Sequence, residues 1–324
     1  MLRRAVLPLL LLALAPAGAL AQDAPAAGPP ATSEGRIAVS LRGAFALHGR
    51  PLAVSGRALR ANIRVAPYVP GQQVRVRVWL GRTLLAQRSV APKPTSTART
   101  ATFSVRFLPR RSGKLRVFAL HDATPQQGAF SARTALPVVA PVADPGSRGP
   151  FVALFQQRLA AVGYATPQTG VYDPLTGLAV LAFRKVNGMA RVETLSPAVV
   201  DRVLRGVGGF RIRYPQHGRH VEANLVWQVL AEIDHGRVFR AYTTSSGKPS
   251  TPTVLGHFRF YMREPGTNSH GMVDSTYFIR GYAIHGYVDV PPYAASHGCL
   301  RVPIPDAFAI YSWVHLGDRI DVYY

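Results

Sequence analysis

The chain has 324 residues, one cysteine and a formal net charge of +22. That length accommodates two or three domains, and a single cysteine excludes an internal disulfide. So basic a balance implies attraction to polyanions (nucleic acid, anionic lipid, acidic wall polymers), yet charge alone identifies neither fold nor chemistry.

The chain opens with Arg3 and Arg4, an apolar run from Ala5 to Leu14, and small residues ending Ala19-Leu20-Ala21. This is a charged segment, a short hydrophobic segment and an A-x-A site, so the pattern predicts a secretory leader at 1–21, cleaved before Gln22. The apolar run is short for a membrane span of roughly 20 residues, and Pro16 and Gly18 interrupt it, so no transmembrane anchor is expected after cleavage. Residues 22–35, rich in Ala, Pro and Gly, read as a disordered tether. The expected location is extracytoplasmic, in the periplasm or cell wall.

From 36 to 140 the sequence alternates with period two. "VRVRVWL" sets Val74, Val76 and Val78 against Arg75 and Arg77, and "FSVRF" sets Phe103, Val105 and Phe107 against Ser104 and Arg106. Pro/Gly breaks every ten or so residues predict an antiparallel, Ig-like β-sandwich. Between Arg42 and Arg133 there are seventeen Arg/Lys and one acid, Asp122. They form either a solvated arginine-rich face or a surface for anionic polymers. No catalytic cluster stands out here.

Residues 141–149 read as a linker. Three short helices are predicted over 150–207. "FVALFQQRLAAVGY" spaces Leu154, Leu159 and Val162 helically and stops at Gly163, while Asp173-Pro174 and Ser196-Pro197 are N-caps followed by proline. From 210 to 324 strands are predicted again: two strands, a turn at Asp234-His235-Gly236, a third strand, then a Gly/Pro/Thr-rich loop and further strands.

This last region contains Cys299, in "SHGCLRV". An odd thiol in an exported chain is a buried hydrophobe, an intermolecular link or a reactive group. As a nucleophile it needs a base or a lowered pKa, and His285, 14 residues upstream on a strand-like run, and His297 are the candidates. His297, two positions away along an extended chain, either reaches the thiol or braces the turn. The histidines predict an ionised thiol that reacts faster than a free cysteine. Gly298 lets the Cys299 amide turn toward a carbonyl oxygen, and Arg301 suits a substrate carboxylate. A metal site is not expected, because one cysteine without H-x₃₋₅-H or C-x₂-C spacing supplies too few ligands. Nucleic acid is not an expected partner either, as no recognition motif is present.

Two resemblances join these readings. Gly163-Tyr164, Gly170, Tyr172, Thr176, Ala179-Val180, Phe183 and Gly188-Met189 resemble, in order, the peptidoglycan-binding module found beside cell-wall enzymes. His285-Gly286 followed by Ser296-His297-Gly298-Cys299-Leu300-Arg301 resembles the signature of the L,D-transpeptidase (YkuD) catalytic domain. A second element of that family resembles Ser245-Ser246-Gly247-Lys248 with Thr251-Pro252-Thr253-Val254-Leu255-Gly256-His257-Phe258. The connection from His285 to Ser296 is shorter than the signature leads one to expect.

The resemblance implies a multidomain, mainly β protein that cross-links peptidoglycan 3→3 through a Cys299 thioester, releasing D-alanine. Stem peptides would be donor and acceptor, and carbapenem β-lactams would acylate the thiol. In this reading His285 is the base, His297 and Ser296 shape the site, and Gly298 with the Cys299 amide forms an oxyanion pocket. Tyr277, Gly286 and Arg301 contact substrate; no metal or organic cofactor is implied. The alternatives are an L,D-carboxypeptidase, in which water resolves the same thioester, and a non-catalytic wall-binding protein.

Overall fold

The computed structural model describes residues 34–324. The predicted leader and nearly all of the predicted tether lie outside them. Nine strands come first: β1 (Arg36–Arg42), β2 (Phe45–Leu47), β3 (Arg50–Val54), β4 (Leu59–Ala66), β5 (Val74–Leu80), β6 (Thr83–Val90), β7 (Ala101–Phe107), β8 (Gly113–His121) and β9 (Phe130–Val139). They form a three-stranded sheet, β1-β4-β7, and a six-stranded sheet, β2-β3-β9-β8-β5-β6. The alternating residues explain the packing. Ile63, Val65, Val105 and Phe107 from the smaller sheet share one core with Val74, Val76, Val78, Leu115 and Val117 from the larger, while Arg75, Arg77 and Arg116 point outward.

Three helices follow: α1 (Pro150–Ala161), α2 (Pro174–Val186) and α3 (Pro197–Arg205). Asp173 and Ser196 cap α2 and α3, accepting from Thr176 N and Val199 N, and both helices have proline in the first turn. Gln156, fully buried, holds the turn before α2 by donating to Thr176 Oγ1 and Val171 O and accepting from Gly170 N, all at 2.8 Å.

The C-terminal part contains β10 (His220–Asn224), β11 (Val229–Asp234), β12 (Arg237–Thr243), β13 (Gly256–Arg259), β14 (Met262–Thr267), β15 (Val273–Ile279), β16 (Tyr282–Tyr287), β17 (Leu300–Pro303), α4 (Ile304–Trp313) and β18 (Arg319–Tyr323). A five-stranded sheet, β12-β11-β10-β18-β13, packs against a four-stranded one, β14-β15-β16-β17. Val221, Ala223, Ile284, Leu300, Val302, Ala307 and Ile310 lie in the core they share. The sequence reading missed α4. Its apolar residues recur at Ala307, Ile310 and Val314, all buried, a helical period that the strand-like surroundings concealed. Among the described residues no helix is long and apolar enough to cross a membrane.

The parts are joined rather than strung out. One hydrophobic cluster contains Leu52 and Val54 of β3, Leu154, Leu159, Val180 and Phe183 of the helices, and Val229, Ala231 and Ala241 of the C-terminal sheet. Across this junction Lys185 of α2, 2% exposed, donates to Gln228 O at 3.1 Å, Thr243 Oγ1 at 2.5 Å and Thr244 O at 3.2 Å. Burial, with a smaller contribution from Arg191, lowers its pKa to about 7. An unfolded lysine titrates near 10.4, so between about 7 and 10 the unfolded chain binds more protons at this residue, and its contribution to stability rises with pH. Lys185→Met removes that dependence. Wild-type stability should therefore gain on the variant between pH 7 and 9.5, by up to about 1.4 kcal/mol per pH unit, measured by denaturant unfolding. Parallel curves for the two proteins would show that the ammonium is not desolvated.

Candidate active site

Cys299 immediately precedes β17, which runs parallel to β16 with Ile284 opposite Leu300 and His285 opposite Arg301. One step earlier in this register Cys299 lies beside Ala283. Strand alternation then sends Ile284, Leu300 and Val302 into the core and leaves Ala283, His285, Cys299 and Arg301 on the outer face. Diagonal cross-strand neighbours stand roughly 7–8 Å apart, within reach of an imidazole. Tyr277 of β15 pairs with Ala283 and joins the same face.

The loop that delivers the thiol is closed by one hydroxyl. Ser296 Oγ donates to Cys299 O at 2.6 Å and accepts from Gly298 N at 3.0 Å. Gly298 has φ +121°, and an added Cβ there would strike the Tyr282 ring, so only glycine fits. The second sequence element cradles this loop. Ser245 exchanges backbone bonds with Arg301, the amides of Ala295 and Ser296 donate to Ser246 O, and Lys248 N donates to Ser296 O. Thr251 Oγ1 donates to Ser296 O at 3.1 Å, and Thr253 Oγ1 donates to Gly298 O at 2.8 Å.

His285 is buried and donates from Nδ1 to Gly286 O at 2.9 Å. A carbonyl only accepts, so Nε2 carries the lone pair. Its pKa is lowered, chiefly by burial and also by the Arg301 charge, against the Gly286 bond. Arg301 lies over the Tyr287 ring, Cζ to centroid 4.2 Å, with Asp289 Oδ2 at 3.7 Å from Nη1. The Tyr287 ring meets His285 edge-on at 5.6 Å.

Four placements differ from the sequence reading. The Cys299 pKa is raised, because burial outweighs the Ala283 backbone bond and the Arg301 charge that oppose it; Sγ donates weakly to Gly281 O at 3.6 Å. The resting pair is therefore neutral thiol and neutral imidazole, not the ionised thiol that the histidines suggested. His297 is exposed and accepts from Lys248 Nζ at 3.1 Å, and the positive φ of Gly298 breaks the alternation that would have placed it beside the thiol. Gly286 faces the opposite side of the sheet, where a Cβ would come within 2.8 Å of Ala307. It seats α4 and orients His285 through its carbonyl. Gly298 N–H is taken by Ser296, so of the two amides assigned to an oxyanion pocket the Cys299 amide remains. The Tyr277 hydroxyl donates to Glu264 Oε2 at 2.7 Å, a partner the sequence offered no means of choosing.

The profile of the L,D-transpeptidase catalytic domain family, YkuD, matches residues 218–322. That of a peptidoglycan-binding domain matches 148–192. Among solved structures, an L,D-transpeptidase from Xylanimonas cellulosilytica is 32% identical, covers 56% of this chain and 97% of its own, and superposes with a TM-score of 0.50. An L,D-transpeptidase from Stackebrandtia nassauensis is 20% identical over 56% of this chain and 95% of its own, with a TM-score of 0.35. One from Mycobacterium smegmatis is 13% identical over 89% of this chain and 99% of its own, with a TM-score of 0.29. No curated protein matches the chain.

A thiol held protonated sets a testable reactivity. Each unit by which the pKa exceeds that of free cysteine lowers the thiolate fraction at pH 7 about tenfold. Iodoacetamide should alkylate Cys299 several-fold more slowly than free cysteine at pH 7. The rate should still climb with pH where the free thiol has levelled off. Faster alkylation than free cysteine at pH 7 would restore the ionised thiol.

Proposed function

We propose, from the premise that this chain belongs to the L,D-transpeptidase family, that it is an exported enzyme that joins peptidoglycan stems 3→3 through a Cys299 thioester. The observation that carries this reading is the shared outer face of β16 and β17, which gathers His285, Arg301 and, from the braced loop just before β17, Cys299.

Attack begins with both groups neutral. As Sγ adds to the carbonyl joining the third stem residue, a diamino acid, to D-alanine, His285 Nε2 takes the thiol proton. The Cys299 amide faces the developing oxyanion. Collapse breaks the C–N bond, the imidazolium returns its proton to the departing amine of D-alanine, and a thioester remains. The side-chain amine of a second stem then attacks the thioester and gives a proton to Nε2. Thiolate leaves and takes that proton back, and the isopeptide bond is complete. Arg301, anchored by Asp289 and Tyr287, holds a stem carboxylate near His285. Tyr277 walls the cleft. Ser296 and Gly298 shape the loop, and His297 marks its outer rim with Lys248.

The other parts bring the site to its polymer. The three-helix segment is read as the wall-binding module and the two N-terminal sheets as an Ig-like sandwich. On the outer face of the larger sheet a groove of about 890 Å³ is lined by Trp79, Arg82, Lys114, Arg116, Phe118 and Arg133. It belongs to a domain other than that of the thiol and suits anionic wall polymers by charge. Carbapenems are the expected inhibitors, acylating Cys299.

Transfer and hydrolysis share the thioester, so the acceptor decides between them. Water is present at roughly 55 M, and an amine prevails only when held in position, where effective molarities reach about 10⁵ M or more. Pro291-Pro292 stiffens the segment between His285 and Ser296, and Arg191 of the helical part binds Pro292 O at 2.6 Å. Incubation with disaccharide-tetrapeptide should yield a 3→3 dimer by mass spectrometry, with dimer and free D-alanine both lost in Cys299→Ala and His285→Ala. If the wild type releases D-alanine and forms only tripeptide, the enzyme is a carboxypeptidase.

A further inference from the structure

The five-stranded sheet carries a second cluster of titratable side chains that takes no part in the thiol chemistry. Asp321 of β18 is 0% exposed. Its Oδ2 accepts from His217 Nδ1 at 2.9 Å and its Oδ1 from His257 Nδ1 at 2.6 Å. His217 ends a short 3₁₀ turn, Pro215–His217. His257 lies on β13, directly opposite Asp321 in the ladder. Three elements distant in sequence therefore aim donor atoms at one point. Tyr214 covers the group, with its ring stacked on His217 and edge-on to His257, both at 5.0 Å. His220 closes the inner side, its Nε2 4.0 Å from Asp321 Oδ2 and 3.3 Å from Glu222 Oε1.

A fully buried carboxylate needs a cation or several donors to offset its lost hydration. Among the described residues the ion-pair partners of Asp321 are all histidines; no Lys or Arg reaches it. The two imidazole nitrogens and the carboxylate oxygen lie within 4.8 Å of one another. Zinc with bonds of about 2.0–2.2 Å sets tetrahedral ligands roughly 3.3 Å apart, so the hydrogen-bonded spacings of 2.9 and 2.6 Å open by less than about 1 Å, and the widest spacing, up to 4.8 Å, closes to meet them. Two imidazoles and one carboxylate suit a borderline divalent ion, whereas calcium and magnesium want oxygen and copper(I) wants sulfur. The His257 side chain is 52% exposed, which gives an entry path and a water for the fourth position.

We propose that His217, His257 and Asp321 form a binding site for one divalent transition-metal ion of zinc's type. On binding, each imidazole presents a bare Nδ1 to the ion and keeps its ring proton on Nε2, so both lone pairs face the ion. Arg319 Nη1, 3.5 Å from His217 Nε2, turns aside as that nitrogen becomes a donor. The site ties the 3₁₀ turn and strand β18 to β13. That strand continues directly from the Thr251–Thr253 segment bracing the thiol loop. The spacing argument that disfavoured a metal at Cys299 does not apply here, since these ligands are gathered by the sheet and not by a local motif.

The test uses the full chain carrying Cys299→Ala, which removes the thiol as a competing ligand. Zinc titrated into chelator-treated protein should bind with one equivalent by calorimetry and raise Tm, and cobalt should give the visible bands of a four-coordinate site. His257→Ala, at a half-exposed position, should weaken zinc binding at least tenfold with an unchanged far-ultraviolet circular dichroism spectrum; His217→Gln is the second removal should that spectrum change. Absence of zinc binding to the Cys299→Ala protein, or undiminished binding after removal of these histidines, overturns the proposal.

Discussion

The Ser296 hydroxyl sits inside the turn it closes, donating to the carbonyl of Cys299 while accepting from the amide of Gly298. The φ of +121° at Gly298 reverses the chain, and the Tyr282 ring fills the space a side chain would need. Each such hydrogen bond contributes only about 1 kcal/mol net, but leaving a buried partner unmade costs about 1–3 kcal/mol. The turn therefore has one arrangement. The Ser245–Gly247 and Thr251–Thr253 segments exist, in this view, to hold that arrangement from outside. Gly247 lies so close to Thr251 and Thr253 that a Cβ would overlap their backbone.

Burial acts on the two reacting groups in complementary directions. It raises the Cys299 pKa and lowers that of His285, so both rest uncharged and no buried ion has to be stabilised while the site is empty. In the proposed reaction the proton moves only when a carbonyl arrives to take up the charge. The arrangement also protects the thiol, because oxidation follows thiolate character and exposure. Arg301 opposes burial at Cys299 and reinforces it at His285, which makes its charge part of the balance as well as, in the proposed reaction, a handle for substrate.

The helical part is mechanically continuous with this site. Lys185 joins α2 to the carbonyls of Gln228 and Thr244, Thr244 Oγ1 donates to Arg301 O at 2.7 Å, and Gln228 bonds Ser246 through both ends of its amide. Arg191 reaches from the other side of the same part to Pro292 O and Val226 O. Two basic side chains thus fix the floor and the rim of the thiol loop from a segment that matches a peptidoglycan-binding family. Polymer held there would be oriented relative to the thiol without any hinge between them.

What the sequence made legible was whatever follows a local period or a local motif. Alternation marked the buried faces of β5 and β7, the Asp173 and Ser196 caps marked two helices, and the residues around Cys299 marked the family. Each misreading has its own local cause. His297 and Cys299 are two apart, and period two would place them on one face, but a single left-handed glycine between them cancels the rule. Helix α4 was hidden by its strand-rich setting. Gly286 looked like part of the cleft because it follows His285, although in a strand the next residue always faces away. His217, His257 and Asp321 are separated by 40 and 64 residues, and only the pairing of β13 with β18 makes them neighbours. Motif spacing works when one element carries the ligands. Where a sheet assembles them, long-range register replaces spacing, and register is settled by core packing on the opposite face. That packing comes from Ile320 and Val322, which flank Asp321 and face the core, so the residues that position the polar cluster are apolar ones that resemble any other strand.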